Sequence, residues 1–304
     1  MGDVFNEKGN TNDLAKDRVK RGMSAMIQIE ALVKETGLGT YQVDVHLLLY
    51  HALLLSCMLF NSQAWSNLLD SDLKTMETLQ VKALKRVLNI PQSTANSFTY
   101  LEFGEIPLRF HIQRNQLMFL HHIVRLHDDD PVKVMLRNLQ QLSGEKNWWS
   151  QVSLLLEKYE ISLDEVESRS RETFKELVKS KITDVAFNEL QAECREKSKT
   201  KDIGYSTLKV VEYLQHLYPP QSKVIFQARS KTLDIKEHRQ YKYSDMKCRR
   251  CKVHDETFSH IVNCGRKEEV DASIIDTADT VTYDAAIKLC VVANRAIDFL
   301  EEFK

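Results

Sequence analysis

Apolar positions recur at helical spacing along most of the chain, which predicts a mainly α fold. Thr11 or Asn12 can cap a first helix reaching about residue 35. A second helix, over about 43–64, is apolar nearly all round, as expected at the centre of a bundle. A third, over 72–89, sets Leu73, Met76, Leu79, Leu84 and Val87 inward and Lys82, Lys85 and Arg86 outward, and Asn89-Ile-Pro91 stops it. After a loop containing Gly104 and Pro107, helices are expected over 108–127, 132–142 and 148–160. One long amphipathic helix follows over 163–196, striped by Phe174, Leu177, Val178, Ile182 and Val185. Residues 197–201 read as an exposed joint, Pro219-Pro220 opens a basic segment, and a helix over 283–303 closes the chain.

The 304 residues are 43% hydrophobic and 28% charged, the balance of a globular chain with room for two or three domains. Nine glycines and five prolines are too few for a fold built on strands and tight turns. The most apolar run, 47–60, is too short to cross a bilayer and carries Tyr50 and His51, so no membrane partner is expected. Residues 1–25 are charged throughout and do not read as a secretory signal, and Asn6 does not suit myristoylation at Gly2. Cys57, Cys194 and Cys290 stand alone in helical contexts and read as packed free thiols, which implies an intracellular setting, nucleus or cytoplasm.

The remaining three cysteines carry the chemistry. Cys248, Cys251, His260 and Cys264 form the spacing C-x2-C-x8-H-x3-C. Two thiols two residues apart suit a tight knuckle, and His260 and Cys264 share one face of a helix. Three sulfurs and an imidazole are the donor set of a closed structural Zn²⁺ site, with no position left open for catalysis. His254 is a spare donor, ranked below His260 because it lacks the helical pairing with Cys264.

Charge is distributed unevenly. The whole chain is at −1, yet Ser222 to Lys252 holds ten Lys/Arg against Asp234, Glu237 and Asp245. Within and beside this stretch Arg229, Lys231, Arg239, Tyr241, Lys242, Tyr243, Arg249 and Arg250 interleave cations with aromatics. Cations neutralise phosphates and tyrosine rings stack on exposed bases, so RNA or DNA is the expected partner, and no small-molecule substrate is. A solvated basic face with packed tyrosines is the plainer alternative. Arg249 and Arg250, between the two knuckle thiols, are expected to project outward.

Taken in order, these pieces resemble the C-terminal part of a reverse transcriptase from a non-LTR (LINE-type) retrotransposon. Met1-Gly-Asp-Val-Phe-Asn-Glu-Lys-Gly9-Asn is similar to the segment that opens the thumb of that family. Leu47-Leu-Leu-Tyr-His, continuing to Leu59-Phe-Asn-Ser-Gln-Ala-Trp65, resembles the following helix, and Thr78-Leu-Gln-Val-Lys-Ala-Leu-Lys-Arg-Val-Leu-Asn89 the next. The C-C-H-C knuckle resembles the zinc motif near the end of many such proteins. The resemblance implies a helical thumb-like region over 1–130, a helical linker over 131–221, a basic segment with the zinc knuckle over 222–266, and an acidic helix over 267–304. It also implies that Lys16, Arg18, Lys20, Arg21, Lys82, Lys85 and Arg86 face a primer-template backbone, although a solvated helix face explains any one of them.

The departures matter as well. The Phe/Tyr-x-Asp-Asp of the family's palm is missing from the sequence; Leu126-His-Asp128-Asp129 imitates it only at a helix end before Pro131. The endonuclease pattern of some relatives is missing after Cys264. The chain alone is therefore expected neither to polymerise nor to cut. Two other readings stay open: a longer product that includes the palm, and a helical scaffold that binds protein partners. His111, His121, His122 and His127 lie on one helix without a clean metal-binding pair, and Trp65, Trp148 and Trp149 read as core or interface anchors.

Overall fold

The computed structural model describes residues 12–37, 43–66, 68–142, 146–277 and 283–303, and is mainly helical. The first helices are α1 (Asn12–Thr36), α2 (Val43–Leu49), α3 (Ser56–Met58), α4 (Asp70–Val87) and α5 (Asn96–Glu102). They are followed by α6 (Leu108–Val124), α7 (Pro131–Gln141), α8 (Trp148–Lys158), α9 (Leu163–Ser168) and α10 (Arg171–Glu196). The last are α11 (Glu212–His216), α12 (Pro219–Arg229), α13 (Phe258–Asn263) and α14 (Tyr283–Glu302). Among the described residues, β pairing is confined to two isolated antiparallel bridges, Phe103 with Val210 and Lys247 with Asp255. No helix among them is long and apolar enough to cross a membrane.

The chain forms two compact units that interleave along the sequence. One comprises Met1–Gln28, Tyr50–Gln80 and Ile106–Glu189; the other comprises Ile29–Leu49, Val81–Glu105 and Leu190–Lys304. This division differs from the linear one at 130, 221 and 266, because partners far apart in sequence pack together. The segment resembling a thumb opening, residues 1–10, lies outside the described residues.

In the first unit, α6 is the central helix. Phe110, Leu117, Leu120 and Ile123 meet Val152 and Leu156 of α8, Val166 of α9, and Phe174, Val178 and Ile182 of α10 in one buried cluster. His121 belongs to it: its ring stacks on Phe174 at 4.6 Å and faces the Arg169 carbonyl at 3.1 Å. His111 is buried too, and burial lowers it to about 3, whereas His122 and His127 are exposed. The aspartates before Pro131 are helix-end chemistry. Asp130 caps α7 by accepting from Val132 N–H at 2.9 Å, and Asp128 pairs with Lys133 and Arg137.

Three expectations change on contact with the fold. The long helix over 163–196 is broken: Arg169 is extended at φ −74°, ψ 146°, and the Ser170 hydroxyl caps α10. The loop before Pro107 contains α5, whose Phe98, Tyr100 and Leu101 are buried. Arg18 and Lys85, expected on a solvated face, are interior. Arg18 is 1% exposed, with its guanidinium 5.2 Å from the Phe60 ring centre. Lys85 is 2% exposed and donates to the carbonyls of Gln92 and Thr94 and to Asn96 Oδ1 at 2.6–2.8 Å. Each cation has therefore become a fastener for a loop. Arg21 and Arg86 are also engaged, with Asp17 and Glu30.

The second unit is organised around a buried carboxylate. Gly104 has φ +63°, and a Cβ there would stand 2.3 Å from Val210 N, so only glycine lets 103–104 approach 209–210. That approach fixes Glu102, whose carbonyl accepts from Val211 N–H at 3.0 Å. The Glu102 carboxylate, fully buried, accepts from Tyr205 and Tyr213 hydroxyls at 2.5 Å each and from Arg229 Nε at 3.0 Å. Arg229 also donates to the Ile275 carbonyl. Around this cluster, Phe98 packs edge-on against Phe226 at 4.9 Å, and α14 is buried along Leu289, Val292, Ala296 and Phe299.

Replacing Glu102 by Gln leaves the Arg229 guanidinium buried without its counter-ion. Glu102→Gln is expected to destabilise the second unit by about 3–5 kcal/mol in urea unfolding, and an unchanged midpoint would contradict the buried pair.

Candidate metal centre and basic strip

The sequence from Lys247 to Gly265 folds as a short ribbon followed by α13. The ribbon closes through the Lys247–Asp255 bridge, Cys248 N–H donating to the His254 carbonyl at 2.7 Å, and Lys252 N–H donating to the Cys248 carbonyl at 3.0 Å. This turn aims Cys248 and Cys251 the same way, and Arg250 N–H donates to Cys248 Sγ at 3.4 Å. Thr257 caps α13 by accepting from His260 N–H at 3.1 Å, and one turn later the helix ends at Cys264. His260 and Cys264 thus reach the ribbon thiols from one helix face.

The four donor atoms lie within 4.8 Å of one another, with Cys248 Sγ 3.9 Å from Cys264 Sγ and Cys251 Sγ 3.3 Å from His260 Nε2. Sulfurs held at ~2.3 Å by a tetrahedral ion stand about 3.8 Å apart, close to the Cys248–Cys264 separation, so these four could hold a metal ion after the most distant pair draws in. Cys248 and Cys264 are buried, while Cys251 and His260 are half-buried. His254, the spare donor, is exposed and contributes its carbonyl to the turn.

The electrostatics point the same way. Backbone N–H groups of His254 and Val253 lower the Cys251 thiol to about 6. Burial, with Cys248 and Cys251 alongside, pushes Cys264 up to about 12. Three thiolates this close repel one another, and a dication among them removes the conflict.

The sequence gives no hint of the carboxylate that ties this centre to the basic segment. Glu256, fully buried between Cys251 and His260, accepts from Lys236 N–H at 3.1 Å and Arg249 N–H at 2.8 Å. It also takes the Arg249 guanidinium at 2.8–3.0 Å. Glu237 N–H donates to the Glu256 carbonyl, and Glu237 Oε2 accepts from Phe258 N–H at 2.7 Å. Residues 234–238 are therefore bolted to the ribbon and to α13.

The eight basic and aromatic candidates separate into interior and surface groups. Arg229, with its side chain 1% exposed against Glu102, is a correction to the outward basic face. Arg249 and Arg250 do not project freely either. Arg249 is held by Glu256 and the Asp234 carbonyl, over the Phe303 ring at 5.4 Å. Arg250 donates to Glu302 at 2.7 Å and lies over Phe299. Burying apolar stems and a ring between the two arginines gave them more to bind inside than outside. Tyr243 is half-buried under Lys236.

Lys231, Tyr241 and Lys242 are exposed, with Arg239 half-buried beside them. Arg239 donates to the Tyr241 hydroxyl at 3.2 Å, and Lys242 lies 6.0 Å from that ring. Lys199, read from the sequence only as part of a joint, completes this strip by donating to the Lys231 carbonyl at 3.0 Å. The field is visible in His238 beneath it, which burial first, then Lys199, Lys231 and Arg239, lower to about 4. The Tyr241 hydroxyl is lowered chiefly by its bond from Arg239.

If the cluster holds a metal, Cys251→Ser is expected to abolish its uptake and expose 246–266 to protease, with the helical signal of the first unit retained. Unchanged metal content and protease resistance would contradict the four-donor site. No family model matches this chain, and no curated protein or solved structure is significantly similar to it.

Proposed function

We propose that this chain is a nucleic-acid-binding protein of the non-LTR retrotransposon reverse-transcriptase type, with its basic segment held in shape by a structural zinc ion. The observation that carries the reading is the strip of exposed Lys199, Lys231 and Lys242, with half-buried Arg239, around Tyr241, in the same unit as the C-C-H-C cluster. The ordered resemblance of 47–65, 78–89 and 248–264 to that family supports it.

Cys248, Cys251, His260 and Cys264 would hold the ion, and their three sulfurs and one nitrogen favour zinc over the oxygen-seeking cations. Bound there, zinc supplies a cross-link worth about 10–16 kcal/mol to the local fold, and no open coordination position. Through Glu256 that cross-link would set the course of 234–242, so metal and strip act as one device. The strip attracts phosphates, and Tyr241, 75% exposed, offers a ring to an unstacked base. No polymerase or nuclease activity is proposed for it.

Affinity for a short oligonucleotide is expected to fall with salt, and Lys231→Ala with Lys242→Ala to flatten the slope of log affinity against log salt by about 1.4 for a single strand, roughly 0.7 per lost phosphate contact. A slope near zero, or one that the double variant leaves unchanged, would contradict the strip as the binding face.

A further inference from the structure

A cleft of about 610 Å³ opens in the second unit between α12 and α14, roofed by residues 232–239. That volume falls in the range of small-ligand sites and accommodates one nucleotide unit. Val224, Leu233, Leu300 and Phe303 give the lining apolar patches among its polar groups. A planar body with apolar faces and polar edges fits such a lining.

The charges argue against a phosphate pocket. Lys223, Arg239 and Arg249 line the cleft, but so do Asp234 and Glu301, and Arg249 is already matched by Glu256. What remains is a nearly neutral rim of alternating donors and acceptors, including the Gln227 amide. Such a rim suits the edge of a nucleobase, which presents both kinds of group in one plane. Arg239 links the cleft to the cationic strip: it lines the former, where its Nε lies 3.9 Å from Asp234 Oδ1, and donates to Tyr241 in the latter.

We propose that this cleft receives an unpaired nucleobase from a strand whose phosphates follow the strip of Lys199, Lys231 and Lys242. The inference rests on the nucleic-acid reading of that strip and adds to it a preference for single strands. A base paired in a duplex cannot leave its stack to enter the cleft without unpairing. Phosphate attraction would supply affinity and the cleft would supply the selection between forms.

The test uses the full chain, a short single-stranded oligonucleotide carrying one 2-aminopurine, and the matching duplex. Wild-type protein is expected to bind the single strand about tenfold more tightly than the duplex and to change the 2-aminopurine fluorescence. Gln227→Trp fills the cleft without altering charge. It should lower single-strand affinity about tenfold, remove the fluorescence change, and leave duplex affinity and the salt slope unaltered. If Gln227→Trp loses helical ellipticity, Leu300→Trp fills the same space from the opposite wall and is read the same way. Equal affinity for strand and duplex, or a fluorescence change that survives the filled cleft, overturns the inference while salt-dependent binding keeps the strip. Absence of binding by the wild-type chain to either form overturns both.

Discussion

Three thiols and an imidazole whose donor atoms all lie within 4.8 Å make the constraint on which residues 234–264 depend. The groups are presented by a short ribbon and by a helix of six residues, elements too small to hold themselves in place. Without a cation, ionising one sulfur opposes ionising the next, and burial adds to that opposition at Cys264. With one, the ribbon and α13 become a single piece. Glu256, fixed between the second and third donors, then gathers the Lys236 and Arg249 backbone amides and the Arg249 guanidinium. The surface strip from Lys231 to Lys242 inherits its position from that carboxylate.

The same unit shows why a count of cations misjudges a binding face. Of the charges between 222 and 252, Arg229 neutralises a buried carboxylate, Arg249 another, and Arg250 ties α14 to the ribbon. A buried guanidinium is tolerable only with its counter-ion and hydrogen bonds in place, so these arginines are committed to the fold before any partner arrives. Lys236 is buried as well, donating to the Lys247 carbonyl, whereas Lys199, Lys231 and Lys242 stand on the surface. On the proposed reading, attraction of phosphates by such a strip would be long-range and weakly selective, and selectivity would come from a shaped feature beside it.

Local patterns were the legible part of this chain. The knuckle spacing located all four donors, because two of them share a turn and two share a helix face within 17 consecutive residues. Helical periodicity located α1, α4, α6 and α14 to within a few residues. What escaped depended on distant partners. Nothing near Lys85 announces that two loop carbonyls and the Asn96 side chain will surround it, and nothing near Arg229 points to Glu102, 127 residues away. Glu256 carried no signal because its role is to satisfy backbone amides that only the folded ribbon presents. The break at Arg169 was hidden because neither glycine nor proline marks it; the local signal is the Ser170 hydroxyl, which caps α10.

X-ray absorption at the zinc edge on the purified full-length chain tests the central claim most directly. One equivalent of zinc with three sulfurs at about 2.3 Å and one nitrogen at about 2.0–2.1 Å is the expected first shell. A metal-free protein with intact protease resistance across 246–266, or a shell of oxygen and nitrogen donors, would contradict it.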